Sequence, residues 1–372
     1  MIFINRMEKN KNHYAIIMAG GIGSRFWPYS RTQKPKQFLD ILGVGKTLLQ
    51  STYDRFLKHF EKENIYIVTN QSYIPLVVEQ LPGIDTNCVL GEPSAKNTAA
   101  CIAYASAKIH EINTHALCVV APSDHLIMDE ASFMTNLAFG LEYAKKNPVL
   151  VTLGIRPSRP DTGYGYIQYH DGLLANEGIF KVKTFTEKPT VELAQTFIDS
   201  GDFLWNAGIF IWSGSSIRSA FKELMPEHYE LFNQASQSFG TADESQAIQA
   251  IYEQCRSVSI DYGILEKADN VFVIPSDFGW SDLGTWTSLY ENFTNKDENR
   301  NAIHGKQIHV YNTSDCMVSS HAGKGKVVVL NSVNNLIVVD TEDVLMICDK
   351  NKEQEVKQMV ADMKIKYDEK YT

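Results

Sequence analysis

The chain has 372 residues, 44% hydrophobic and 21% charged, enough for one large domain and a smaller one. Its 35 Lys and Arg against 44 Asp and Glu leave a net charge of -9 with no basic block, which argues against a nucleic-acid partner. The six cysteines are scattered with no C-x-x-C, and the ten histidines form no H-x-x-x-H pair, so buried free thiols are expected and a zinc site is not. Residues 1–13 read as a polar tail without an apolar leader, and no later run is long enough to span a membrane. A cytoplasmic enzyme with no membrane partner is the expectation.

The apolar run Tyr14 to Met18 reads as a buried strand that opens onto Gly20, Gly21 and Gly23. Glycines there permit positive φ and close approach of backbone to a ligand, and successive N–H groups can cradle an anion. Arg25, Lys34 and Lys36 follow, supplying the fixed positive charge a triphosphate needs. The dinucleotide pattern G-x-G-x-x-G fails at Phe26, and the P-loop pattern ending in Gly45-Lys46-Thr47 has Asp40 where its first glycine belongs. On these residues alone a plain glycine turn remains open.

The spacing of Leu48, Leu49, Tyr53, Phe56 and Leu57 predicts a core-facing helix within 47–60. A strand at 65–68, a short helix at 73–81 and a strand from Cys88 to Leu90 continue a βαβ alternation, which argues for a parallel sheet. In the segment Gly91 to Thr98, Asn97 or Thr98 would cap the following helix. The strand at 117–121 ends in Ser123-Asp124-His125. A carboxylate there lies where open α/β sheets bind ligands, or it caps a turn.

Further strands are expected at 149–154 and 180–185, separated by Gly163-Tyr164-Gly165, which reads as a hairpin or bulge. Glu187-Lys188-Pro189 reads as a solvated turn, and Asn206 is placed at the entrance of a strand over 209–212. Helices broken at Pro226 fill 216–257, and a strand at 271–274 opens onto Asp277 to Trp286, which contains Asp282. From Asn301 the texture changes to four short apolar runs separated by Asn, Asp and Gly, the pattern of a small β domain. An amphipathic helix with Val356, Val360 and Met363 on one face closes it.

The run GGIGSRFWPYSRTQKPKQF, Gly20 to Phe38, resembles the signature of the sugar-1-phosphate nucleotidylyltransferases, GGxGxR followed by PK. In its full length it is similar to the mannose-1-phosphate guanylyltransferase subfamily. Glu92-Pro93…Asn97-Thr98, Ser123-Asp124-His125, Gly163-Tyr164-Gly165, Glu187-Lys188-Pro189, Asn206, the run Ser259 to Lys267 and Gly279-Trp280-Ser281-Asp282 resemble further family segments in the same order. Lys96 departs from the family, which has Arg there, and Lys lacks the planar fork.

The resemblance implies a Rossmann-like, mixed, mostly parallel sheet in a nucleotidyltransferase domain over 14–295. It also implies a β-helix-like domain over 296–372, with no segment after it for the isomerase domain of some longer relatives. It implies transfer of GMP from GTP to mannose 1-phosphate. Arg25, Lys36 and Lys188 would be catalytic; Gly20, Gly21, Gly23, Ser24, Glu92, Asn97, Thr98 and Asp124 would hold the nucleotide. Gly163, Tyr164, Gly165, Glu187 and Asn206 would hold the sugar, and Asp124 and Asp282 would be ligands for Mg²⁺. Synthesis of another sugar nucleotide, of the GDP-fucose, GDP-heptose or dTDP-glucose type, is the alternative. A homodimer is compatible with this reading.

Overall fold

The computed structural model describes residues 7–170, 178–321 and 325–372, so residues 1–6 of the polar tail lie outside the described residues. The chain divides into two compact units. The first takes residues up to Gly20, Tyr53–Ser123 and Ile127–Trp280; the second takes Gly21–Thr52, Asp124–Leu126 and Ser281–Thr372.

Up to residue 292 the elements run, in chain order, β1 (His13–Ala19), α1 (Leu48–Leu57), β2 (Ile65–Asn70), α2 (Ile74–Gln80), β3 (Val89–Glu92), α3 (Asn97–Ile112), β4 (Leu117–Pro122), β5 (Leu126–Ile127), α4 (Glu130–Lys146) and β6 (Leu150–Ile155). Then come β7 (Gly165–Tyr169), β8 (Phe180–Glu187), α5 (Val191–Ser200), β9 (Phe203–Ser213), α6 (Gly214–Leu224), α7 (Pro226–Ala235), α8 (Glu244–Gln254), β10 (Val271–Ser276), β11 (Trp280–Ser281) and α9 (Trp286–Asn292).

The first unit is built on a sheet of order β3-β2-β1-β4-β9-β6-β10-β8-β7, with β9 also pairing β7. The β3-β2-β1-β4 half and the β6–β10 pair are parallel. Every pair involving β7, β8 or β9 is antiparallel, so the mostly parallel sheet expected from the sequence is confined to part of it. For β7 and β8 the reason is connectivity: the ten residues between them are fewer than a parallel crossover needs. The order 3-2-1-4 makes the carboxyl ends of β1 and β4 a topological switch point, where open α/β sheets take ligands.

β1 is buried along its whole length except at Met18, as expected for a strand covered on both faces. One face is covered by α3, whose Ala99, Ala100, Ile102 and Ala105 are inaccessible and pack in one cluster with Val68, Val120 and Trp212. Gly140 lets α4 approach closely, because a Cβ there would sit 2.4 Å from Ile211 Cδ1. All six cysteines are buried free thiols. Among the described residues no helix is long and apolar enough to cross a membrane.

In the second unit β12 (Ala302–His304), β13 (Ile308–Tyr311), β14 (Met317–Ser320), β15 (Val328–Asn331), β16 (Leu336–Asp340) and β17 (Leu345–Asp349) precede α10 (Val356–Tyr367). They form a sheet β12-β14-β16-β17 and a pair β13-β15. Ile308 pairs with Val328 and Met317 with Ile337 in parallel register, one coil apart, so the chain winds as a short β-helix. Its corners use left-handed residues, among them Asn312, Asp315 and Asn335, types that tolerate positive φ. Cys316, Val318, Leu330 and Val338 fill the coil.

The segment after the glycines is anchored to this β-helix. Phe26, Trp27, Leu39 and Ile41 share one core with Trp286, Met317, Ile337, Val339 and Val356. Trp27 Nε1 donates to the Tyr371 carbonyl at 2.6 Å, and Arg31 pairs with both oxygens of Asp343.

Candidate active site

Within the second unit, Gly21, Gly23, Ser24, Arg25, Lys36, Asp124 and Asp282 are parts of one compact body. Gly23 has φ 68, and a Cβ there would lie 2.5 Å from Lys36 Cβ, so both the turn and the packing require glycine. The loop folds back on itself: Lys36 N–H donates to the Ile22 carbonyl and Ser30 Oγ to the Gly23 carbonyl. Lys36 is buried, with its Nζ 2.9 Å from Asp124 Oδ2, 2.8 Å from the Asp282 carbonyl and 5.5 Å from the centre of the Phe26 ring. Thus Lys36 links the two aspartate-bearing segments expected to hold metal. Nothing in the sequence near Asp282 announces a basic neighbour; this one comes from 246 positions earlier.

Burial raises the Asp124 carboxyl, but the charges of Lys36 and His125 and the Lys36 hydrogen bond outweigh it and hold the group below its ordinary range. Asp282 Oδ1 accepts the Gly284 N–H at 2.9 Å, and the intervening Leu283 has φ 44, a conformation costly for a residue with a Cβ. Arg25 Nε is buried with no hydrogen-bond partner among the described residues. Such a donor wants an acceptor.

Within the first unit, Glu92 is 7% exposed and accepts the Tyr252 hydroxyl at 2.9 Å. Its Oε2 lies 3.4 Å from where a Gly20 Cβ would be, so Glu92 packs directly against the last residue before the loop. Burial pushes its carboxyl up to about 7, opposed in part by the Tyr252 bond. Asn97 and Thr98 do not cap α3 as expected. Asn97 has φ 66 and accepts the N–H of its neighbour Thr98, while Thr98 Oγ1 accepts the distant Ile260 N–H at 2.9 Å. Thr98 already lies within the first turn of α3, and the Ala99 N–H is met instead by the Val258 carbonyl at 3.1 Å.

The expected sugar residues gather around β7 to β9. Asn206 lies inside β9, not at the entrance of a strand, because β9 starts at Phe203 and pairs on both sides. The Asn and Gly of Trp205-Asn206-Ala207-Gly208 hide the strand from a propensity reading. Gly165 faces Glu187: a Cβ would sit 2.5 Å from Glu187 Oε2 and 3.6 Å from Asn206 Cβ. Glu187 pairs with Lys188, which is itself left-handed at φ 49 and donates its N–H to the Tyr164 carbonyl. The Tyr164 ring stands edge-on to Trp205 and Trp280, and Gly163 N–H donates to Asp161 Oδ1. Sequence reasoning gave no role to Tyr252, Trp205, Trp280 or Asp261; only their positions in apolar or family-like runs could have flagged them.

A family model described as nucleotidyl transferase matches residues 14–299, and one described as MannoseP isomerase/GMP-like beta-helix domain matches 305–363. The chain belongs to the nucleotidyl transferase family. It is 36% identical to a mannose-1-phosphate guanylyltransferase of Salmonella montevideo over 94% of this chain and 74% of that one. A Thermus thermophilus structure described as a mannose-1-phosphate geranyltransferase superposes with a TM-score of 0.85 at 30% identity, covering 95% of this chain and 99% of that one. A Helicobacter pylori structure described as a mannose-6-phosphate isomerase superposes at 0.60 with 26% identity, over 73% of this chain and 99% of that one.

Proposed function

We propose that this chain transfers GMP from GTP to mannose 1-phosphate, giving GDP-mannose and pyrophosphate. The observation that carries the reading is the 36% identity with a mannose-1-phosphate guanylyltransferase along 94% of the chain. The geometry supports it. An oxygen of the sugar phosphate bonds to the α-phosphorus of GTP as the bond to the β-phosphate oxygen breaks, and pyrophosphate leaves. The nucleophile is already largely anionic at neutral pH, since a phosphate monoester's second pKa is about 6, so the enzyme needs no side-chain base. What it needs is alignment of two polyanions and charge to offset their repulsion.

The glycine turn offers backbone N–H groups, and Arg25 offers for the triphosphate a buried donor that has no partner among the described residues. Lys36 holds Asp124 and the Asp282 main chain in register. Lys188 and Glu187 meet the sugar phosphate and its hydroxyls. Residues 14–295 carry the chemistry, and 296–372 support the loop through the core shared with Phe26 and Trp27.

The family generally uses a divalent metal. Two carboxylates and no soft ligand suit Mg²⁺, and the group of three or more His, Cys, Asp or Glu that a protein-only cage would need is absent among the described residues. Asp124 and Asp282 would hold the ion, which supplies charge neutralisation at the reacting phosphates. The same reading puts the enzyme in the cytoplasm, with its nucleoside triphosphate.

Pyrophosphate release across GTP, ATP, UTP and dTTP, each with mannose, glucose and fucose 1-phosphates, tests the assignment. GTP with mannose 1-phosphate is the best pair, by at least about tenfold over the other bases, because a site that hydrogen-bonds one base edge rejects the others. Equal rates with dTTP or UTP sink the guanylyl assignment. Isomerisation of mannose 6-phosphate without nucleotide would favour the activity for which the Helicobacter neighbour is described.

A further inference from the structure

Asp261 is absent from every role assigned above, yet the fold brings it to Asn206. It opens the turn Asp261–Leu265, in which the Glu266 N–H reaches back five residues to the Asp261 carbonyl at 2.9 Å. Such wide turns recur at functional sites. The start of the turn is tied down by Thr98, which accepts the Ile260 N–H. From there Asp261 Oδ1 accepts Asn206 Nδ2 at 2.7 Å.

The other end of the same amide is also committed. Asn206 Oδ1 accepts the Gly208 N–H at 3.1 Å and Thr152 Oγ1 at 3.3 Å. A primary amide has two N–H donors and one carbonyl. With the carbonyl spent on the strand and one N–H spent on Asp261, Asn206 has a single N–H left, and its direction is fixed. Beside it stands Glu187, close enough to charge-couple with Asp261. Two neighbouring carboxylates repel one another, and the Lys188 ammonium, paired with Glu187, offsets part of that repulsion at Asp261.

We infer that Asp261 is a positioning residue for sugar recognition: it clamps the Asn206 amide so that the remaining N–H meets a hexose oxygen, while Glu187 accepts from a neighbouring hydroxyl. This rests on the proposed function, in which Asn206 and Glu187 face the sugar.

The test uses the full-length enzyme and whichever sugar 1-phosphate the wild type turns over best, so an error in the sugar's identity leaves it intact. In Asp261→Ala the KM for sugar phosphate rises about tenfold or more, while the KM for GTP and the melting temperature stay near wild type. Asp261→Asn keeps an acceptor and recovers most of the loss. Asn206→Ala raises the same KM, and adding Asp261→Ala to it costs nothing further, because residues acting through one contact are not additive. Should Asp261→Ala not fold, Asn206→Asp carries the test: two facing carboxylates replace donor and acceptor, the KM rises, and adding Asp261→Asn restores it. An unchanged KM in Asp261→Ala, an equal rise in both KM values, or full additivity with Asn206→Ala overturns the inference while leaving the transferase assignment standing.

Discussion

Replacing Glu92 by glutamine isolates what it costs to bury a carboxyl beside Gly20. Glu92 is 7% exposed and its one charge-stabilising partner among the described residues is the Tyr252 hydroxyl, so burial dominates and the group titrates at about 7 instead of 4.5. A raised folded-state pKa means the native protein holds the proton more tightly than the unfolded chain, by about 3 kcal/mol in all. The sign follows: the contribution is fully present below about pH 4.5 and is lost as the pH rises through about 7. Glu92→Gln keeps an acceptor for Tyr252 and carries no titratable proton. Urea unfolding of both proteins between pH 5 and pH 8 therefore shows the wild type losing about 2–3 kcal/mol relative to the variant across that range. Parallel pH profiles would refute the argument, and would mean that Glu92 reaches solvent or a cation when ionised.

Gly23→Ala forces a Cβ to within 2.5 Å of Lys36 Cβ at φ 68, so it loses about 1–3 kcal/mol of stability in thermal melts and takes GTP turnover down with it. Arg25→Ala raises the KM for GTP and lowers kcat in steady-state assays, and Arg25→Lys recovers only part, since the ammonium lacks the directed fork. Asp282→Asn keeps the acceptor for the Gly284 N–H and leaves the Lys36 bond to the main chain untouched. Its turnover falls by on the order of 10²–10³ and its magnesium titration shifts to higher concentration. A fully active variant with wild-type magnesium dependence contradicts the metal role.

Much of the sheet was legible because it is buried on both faces. Strands such as β1, β2, β4 and β6 are continuous apolar runs, and the helices between them keep a 3.6-residue period. The antiparallel half was less so. β9 runs from Phe203, yet its first stretch contains Asn206 and Gly208, residues a strand ordinarily avoids; there the Asn206 amide bonds to Asp261 and accepts the Gly208 N–H. β12 and β14 went unseen because three or four residues ending in His304 or Ser320 carry too little pattern. In the candidate site, the loop glycines and Arg25 were legible as chemistry. The bond from Lys36 to the Asp282 carbonyl, the Thr98 link to Ile260 and the burial of Glu92 under Tyr252 were not. Each joins residues far apart in sequence, and no local period encodes such pairs.

The most direct measurement of the central claim is the identity of the product. Incubating the full chain with GTP, mannose 1-phosphate and Mg²⁺ and following phosphorus by NMR resolves nucleotide sugar, pyrophosphate and any hydrolysis product in one sample. GDP-mannose and pyrophosphate appear in equal amounts, and neither forms when the sugar phosphate is left out. Conversion of GTP to GMP and pyrophosphate without sugar phosphate, or a stable mixture of the two substrates, would contradict that claim.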